Sequence, residues 1–530
     1  MGWVLYMVSK ALKLVSKIIK KKEKNPLHVP IMFEQSPLIF CTIDNEYLRN
    51  LQVVECYQLS DSKVKVTIGV KEGTGYYLIE EPKLSYSDLL YYVALMKALK
   101  TTVKPSSQMD EDPAGYLESY IDKVAEEYGL DIITGEVREK ILYYIRRDTL
   151  RYGPLTPLME DPKIEDISIE GVKKPVRVFH RDFNDLDWLI TNLRFDDEQF
   201  MDHFVVKLVH FSGKHVSTAF PIVDAALPEN HRISVTYSRE ITPFGSSITI
   251  RKFREEPLTI CDLIKWRTIS PLMSAYWWLL LEHKMFLMIV GPMASGKTTL
   301  LNALATLLKP NWKVVSIEDN PELRLPHIGW KPLVARHTYT FGESRTEIKL
   351  FDLVKLSLRE RADFIIVGEV RGEEAYALVQ AAASGHGCAC TFHGESFQTM
   401  VQRLTSPPIN VSESFIPLIS NVAIIKRLTP LGGKPVRRVV EVSEVLSSKE
   451  CRPIFVWEPH LDVHVPLTAE ELVEKSIVLS RIANLSGWSL SQLKKELSER
   501  EKFLKDLVRR GITSFNEVVT ELRGFYTRWA

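Results

Sequence analysis

Cysteine is scarce in this chain and scattered, as Cys41, Cys56, Cys261, Cys388, Cys390 and Cys451. Only Cys388 and Cys390 are close. Two residues one apart on a strand share a face, which is too little for a metal site. No zinc spacing and no disulfide framework follow from such a pattern, and a reducing, cytoplasmic setting does. Excess charge is lacking too. There are 68 Lys and Arg against 67 Asp and Glu, a net charge of +1, so no global field draws the protein to nucleic acid. Long uninterrupted apolar runs are also missing. The most apolar long window, Pro271 to Val290, contains Glu282, His283 and Lys284, and reads as a buried helix followed by a strand. No apolar core ending in small residues marks a signal peptide at the N-terminus. Internal repeats and low-complexity tracts are absent. What remains is an ordinary globular composition, 45% hydrophobic and 25% charged over 530 residues. That is room for roughly two to four domains.

The first segment stands apart. Leu5, Val8, Leu12, Val15 and Ile19 recur at steps of three and four. Lys10, Lys13, Lys17, Lys20 and Lys24 do the same on another face. This is a basic amphipathic helix, suited either to an anionic membrane surface or to docking on protein. Pro26, Pro30 and Pro37 mark a linker. Strand-like alternation follows up to Leu78, then a helix over Ser85–Lys100 and a polar boundary over Thr101–Pro113. Helices near Tyr116–Tyr128 and Glu136–Leu150 precede mixed α/β sequence up to Phe253. A C-terminal helical segment begins near Thr468.

The chemistry is concentrated after residue 285. Phe286-Leu-Met-Ile-Val290 leads into Gly291-Pro-Met-Ala-Ser295-Gly296-Lys297-Thr298-Thr299, and a helical pattern follows. The GxxxxGKT spacing between a strand and a helix is a P-loop. Its glycines let backbone N–H groups approach phosphate oxygens, and the helix N-terminus adds positive potential. Lys297 is placed to reach the β- and γ-phosphates of ATP, and the Thr298 hydroxyl to hold Mg²⁺. A second apolar strand, Phe364 to Val367, ends in Gly368-Glu369, where a carboxylate meets metal-bound water or the attacking water. A third, Val314 to Ile317, ends in the acidic box Glu318-Asp319-Asn320-Pro321-Glu322, which is either catalytic or a solvated turn. His386 and His393 bracket the strand-like Cys388–Phe392, either as γ-phosphate sensors or as packing and turn residues.

Taken together, the P-loop, the box IEDNPE, the atypical IIVGEVRG and the histidine box GHGCACTFHG resemble the secretion-type ATPases of type II secretion, type IV pili and archaeal surface filaments. The order and spacing of the boxes carry the likeness. It extends upstream to RYGPLTPLMEDPKIEDISIEG at Arg151–Gly171 and to the stretches Phe211–Ile241 and Phe244–Phe253. PIVDAALP, the extension around YYLIEEPKLS and the tail GFYTRWA look like the archaeal branch.

The resemblance implies an α/β architecture: a RecA-like P-loop domain with a separate α/β N-terminal domain, an N-terminal extension and a helical C-terminal segment. With the basic helix at residues 1–25 standing outside the resemblance, the expected divisions are the extension at 26–112, the N-terminal α/β domain at 113–255, the RecA-like domain at 256–467 and the helical C-terminal segment at 468–530. It implies that Glu318 polarises the attacking water, that Glu369 acts on Mg²⁺ or its waters, and that His393 approaches the γ-phosphate. Either carboxylate remains open as the water activator. Arg359 matches an arginine that the family supplies from a neighbouring subunit, while Lys355 stands where a second arginine is common. A lysine keeps the charge and loses the planar fork. Arg232, Arg239 and Arg251 fall in the stretch that faces the nucleotide in this family. Asn230 replaces a common turn glycine, and asparagine tolerates the left-handed region. Ala362 replaces a proline. The family's four-cysteine zinc module has no counterpart here, so no structural zinc is expected. The implied assembly is a homohexamer working on a polytopic membrane platform protein at the cytoplasmic membrane surface. The expected product is a type IV pilus-like filament, with no nucleic acid involved. The alternative is a conjugation-type or DNA-uptake-type traffic ATPase.

Overall fold

The computed structural model describes residues 43, 45–59, 63–102, 112–128, 134–254, 256–336, 347–429, 433 and 435–527. The basic helix expected over residues 1–25 lies outside them. The chain divides into two compact units, Met1–Phe253 and Arg254–Ala530. Among the described residues no helix is long and apolar enough to cross a membrane.

The first unit is built on one nine-stranded sheet. β1 (Gln52–Gln58), β2 (Lys65–Lys71) and β3 (Thr74–Glu80) form an antiparallel meander. Helices α1 (Tyr86–Thr102), α2 (Pro113–Glu127), α3 (Gly135–Thr149) and the short α4 (Thr156–Glu160) follow. A second meander is β4 (Ile164–Ile169), β5 (Pro175–His180) and β6 (Trp188–Arg194). After α5 (Glu198–Phe211) come β7 (Ile222–Ala226), β8 (Arg232–Thr236) and β9 (Ser247–Arg251). The order is β1-β2-β3-β6-β5-β4-β9-β8-β7. Residues from the extension (26–112) and from the following stretch (113–255) therefore share one sheet. They also share one apolar core, to which Leu89, Leu95, Ile121, Ile145, Phe200 and Phe204 contribute from the helices.

The seam is the parallel pairing of β3 with β6, through Tyr76 with Ile190 and Tyr77 with Thr191. Asn192 extends it. Its Oδ1 accepts the Ile79 N–H at 2.8 Å and its Nδ2 donates to the Ile79 carbonyl at 2.8 Å. The side-chain amide thus stands in for a missing peptide partner, as a half-buried backbone pair requires. Asp161, fully buried, accepts the Tyr57 and Tyr77 hydroxyls at 2.5 and 2.6 Å and so ties β1 and β3 to the loop before β4. Buried Arg147 is likewise paired with Glu81 at 2.9 Å and with Asp148 at 2.8 Å. Such burial is tolerable only with partners in place. Asn230 takes φ +64° in the turn between β7 and β8, the left-handed conformation anticipated for it.

In the second unit α6 (Ile260–Lys265) and α7 (Pro271–Glu282) precede β10 (Phe286–Gly291), which runs straight into the P-loop and α8 (Lys297–Ala305). β11 (Val314–Glu318), β12 (Trp330–Val334), α9 (Leu350–Ser357), β13 (Phe364–Val370), α10 (Glu374–Ala383), β14 (Gly387–His393) and α11 (Phe397–Thr405) come next. β15 (Ile419–Leu428) completes a parallel set, and β16 (Val436–Val445), β17 (Cys451–Glu458) and β18 (Val463–Val465) continue it antiparallel. The order is β12-β11-β13-β14-β10-β15-β16-β17-β18. Every residue of β10 is buried, as a central strand covered on both faces demands. Leu287 and Ile289 face one core with α6–α8, and Phe286, Met288 and Val290 face the other with α9–α11. Cys388 and Cys390 do share a face, the second of these.

The tail closes the first face with α12 (Ala469–Lys475), α13 (Ile477–Ser486), α14 (Leu490–Arg509) and α15 (Phe515–Thr527). Arg500 pairs with Glu282 at 2.7 Å. The Tyr526 hydroxyl accepts Trp278 Nε1–H at 2.7 Å and donates to the Leu307 carbonyl at 2.7 Å, just beyond α8.

Candidate functional site

Parallel strands present their carboxyl ends on one edge, and β10 is flanked there by β14 and β15. A crevice outside such an edge is where open α/β sheets bind ligands. The P-loop starts on it. Gly291 is needed because a Cβ there would sit 2.4 Å from the Ile425 carbonyl and 2.6 Å from Ser295 Oγ. Ala294 and Gly296 take φ +57° and +95°, which turns the loop back on itself before α8. Ser295 is fully buried, and its Oγ donates to the Pro292 carbonyl at 2.9 Å. Lys297 Nζ donates to the same carbonyl at 2.8 Å and lies 3.5 Å from His393 Nδ1. Thr298 and Thr299, half-buried, open α8. Backbone N–H groups at this turn, the helix end and the lysine are the groups from which a phosphate cradle is built.

The carboxylates arrive from neighbouring strands. Glu318 ends β11 and is 3% exposed. Its Oε1 accepts the N–H groups of Glu322 and Leu323, both at 3.0 Å, which folds the acidic box around it. Burial is the largest influence on this carboxyl and, although the two N–H donors oppose it, pushes it up to about 7. The box is pinned to the P-loop helix as well, since Asn302 Oδ1 accepts the Arg324 N–H at 2.9 Å.

On β13 the register with β14 slips between Val367 and Val370, so Gly368 and Glu369 form an irregularity in the ladder. Bulges of this kind re-aim a side chain. The Thr391 hydroxyl, buried on β14, donates to the Gly368 carbonyl at 2.6 Å and fixes the slip. The glycine has a packing reason: a Cβ on Gly368 would meet Glu318 Cγ at 2.9 Å and Oε1 at 3.3 Å. The Gly-Glu form of the second box therefore makes room for the carboxylate of the first. Glu369 is half-buried, with His393 Nε2 against one oxygen and Arg371 Nη2 against the other. Burial first, then the charge of Lys297, lowers the imidazole of His393 below its ordinary value, which favours its neutral form. Arg403 of α11 donates to the His393 carbonyl at 2.5 Å.

Lys297, Glu318, Glu369 and His393 are thus gathered at one sheet edge. Arg359 is not among them. It is exposed on the turn between α9 and β13, at the opposite edge of the sheet. Lys355 lies over the Phe351 ring at 4.0 Å. Arg232, Arg239 and Arg251 belong to the first unit. Arg232 and Arg251 are direct cross-strand partners, each 3.9 Å from a carboxylate, Asp224 and Asp166 respectively. Arg239 makes bonds of 2.6 and 2.7 Å to Glu198. His386, at the other end of β14, points its Nδ1 to the Ala381 carbonyl at 3.2 Å. Sequence reasoning missed Arg371, Thr391 and Arg403. The first was within the quoted box, and a charged residue two after the strand-end carboxylate was the available signal.

Residues 153–518 match the family model described as type II/IV secretion system protein, and the chain belongs to that family. An uncharacterized protein of Methanocaldococcus jannaschii, MJ0900, is 38% identical over 403 residues, which is 75% of this chain and 71% of MJ0900. The type IV secretion system protein PtlH of Bordetella pertussis is 26% identical over 313 residues, 52% of this chain and 90% of PtlH. Among solved structures, the ATPase DotB of Legionella pneumophila aligns at 17% identity with a TM-score of 0.38, covering 67% of this chain and 86% of that one.

Proposed function

We propose that this chain is a Mg²⁺-dependent ATPase motor that powers assembly or rotation of an archaeal type IV pilus-like surface filament. The observation that carries the reading is the meeting of the P-loop, two carboxylates and a histidine at one edge of a parallel sheet. In this reading the backbone of Gly291–Lys297 and the Lys297 ammonium hold the phosphates of ATP. Glu318, whose carboxyl is raised to about 7, takes up a proton from the attacking water near physiological pH. Its fixed backbone donors orient it for that task. His393 reports on the γ-phosphate through Lys297 on one side and Glu369 on the other. The donors near the phosphate cradle are hydroxyl and carboxylate oxygens, a set suited to a hard divalent cation. Thr298 and Glu369, directly or through water, would hold Mg²⁺, which when bound neutralises charge on the phosphates.

Arg359 stands at the far edge of its own sheet, which suits action on a neighbouring subunit. That fits a homohexamer in which Arg232, Arg239 and Arg251 also meet nucleotide. The motor then works at the cytoplasmic face of the membrane, against a polytopic platform protein. Purified wild type should hydrolyse Mg-ATP, and Lys297→Ala and Glu369→Gln should not. Equal, negligible turnover in all three would sink the motor. Cells whose only copy carries Lys297→Ala should lose a surface filament. A full set of filaments with a failure of DNA or protein transfer would favour the traffic ATPase, the reading that likeness to a type IV secretion system protein supports.

A further inference from the structure

The second carboxylate box contains a charged residue that the functional reading leaves without a task. Arg371 follows Glu369 by two residues, and its Nη2 lies against Glu369 Oε2. The other Glu369 oxygen faces His393. The backbone beneath Arg371 is itself held. Glu374, buried in the first turn of α10, accepts the N–H of Arg371 at 2.6 Å and the N–H of Gly372 at 2.7 Å through one oxygen. This closes the turn between β13 and α10 so that the arginine leans back over the strand end. Asp319 of the acidic box adds its attraction to the same guanidinium.

We propose that Arg371 is a positioning residue that fixes the Glu369 carboxylate beside the phosphate cradle. This rests on reading the site as an ATPase. A β-strand end with a bulge leaves a glutamate side chain several rotamers. Held by Arg371 on one oxygen and met by His393 on the other, Glu369 keeps one. The planar fork of an arginine imposes direction as well as charge, whereas a lysine supplies charge alone. Among the described residues the Arg371 guanidinium is held by Glu369 and by no group of the P-loop, so its loss should spare nucleotide binding and reduce the chemical step. A misplaced group of this kind lowers turnover by about 10- to 100-fold.

The test compares full-length wild type, Arg371→Ala and Arg371→Lys. Turnover of Mg-ATP gives kcat and KM, a fluorescent ADP analogue gives affinity without turnover, and thermal melting reports folding. The proposal expects Arg371→Ala to lose kcat by about 10- to 100-fold, with KM, ADP affinity and melting temperature near wild type. Arg371→Lys should recover part of the loss. Arg371→Ala turning over like wild type would overturn the proposal while leaving the ATPase reading intact. A parallel fall in ADP affinity or melting temperature, with no recovery by lysine, would make Arg371 a merely structural residue and overturn it too. No turnover in wild type would overturn the ATPase reading, and this proposal with it.

Discussion

Replacing Glu318 by Gln removes one ionisable group from the interior while keeping its shape and its two backbone partners. The amide oxygen can still accept from Glu322 and Leu323, which now donate at 3.0 Å. What changes is the linkage between protonation and folding. Burial raises the Glu318 carboxyl from an ordinary value of 4.5 to about 7. The folded chain therefore holds this proton more tightly than the unfolded chain. The stability it contributes is complete below the unfolded value and is lost as pH rises through about 7. At pH 8 the buried carboxylate weakens the fold by about 3 kcal/mol relative to a neutral group, and at pH 5 by about 1 kcal/mol. Glu318→Gln avoids this. In thermal melting at pH 8 it should melt above wild type by roughly 6 °C for a unit of this size, and at pH 5 by roughly 2 °C. Turnover of Mg-ATP should be abolished at both values. In wild type the rate should climb with pH through about 7, as the carboxylate forms. An equal melting difference at pH 5 and pH 8 would refute the reasoning, because the gain would then not come from ionisation.

Other sites yield simpler expectations. Gly368→Ala drives a methyl to within 2.9 Å of Glu318 Cγ, so it should cost about 1–3 kcal/mol in denaturant unfolding and reduce turnover. Glu318→Ala combined with it should recover stability without activity, and a double variant as weak as the single one would contradict the contact. Tyr526→Phe strands the Trp278 indole N–H and the Leu307 carbonyl, with a loss of about 1–3 kcal/mol measurable by calorimetry. Asn192→Leu leaves both backbone groups of Ile79 without their partner, and faster amide exchange at Ile79 should accompany a loss of about 1–3 kcal/mol.

Local pattern carried much of this arrangement. The apolar run from Phe286 into the glycine loop is a strand, a turn and a helix as read, because each piece has its own signature. The strands leading to Glu318 and Glu369 were equally visible as continuous apolar runs that meet an acid, although the second continues through Val370. The helix expected over Ser85–Lys100 runs Tyr86–Thr102. What stayed hidden depends on residues far apart in the chain. Gly368 looks like a departure from a motif until Glu318 is seen packed over it. Asn192 reads as one polar residue in a strand, and nothing near it foretells Ile79. Asp161 gives no local sign that it gathers two tyrosines from the extension. Arg371 is the intermediate case, two residues from Glu369 in sequence but given meaning only by the turn that Glu374 closes.

The seam between β3 and β6 has a mechanical consequence. A module joined by a flexible tether absorbs displacement in its linker, but here the tether is replaced by peptide pairing, a side-chain amide and a buried carboxylate shared by two tyrosines. The extension strands therefore act as an outrigger of the α/β sheet. Nine strands at about 4.8 Å spacing make a board roughly 40 Å across, so a tilt of about 10° applied at one margin displaces the other by roughly 7 Å. If the chain is the motor proposed above, a partner gripping β1 at the far margin would receive a displacement already magnified, with no slack to take up first.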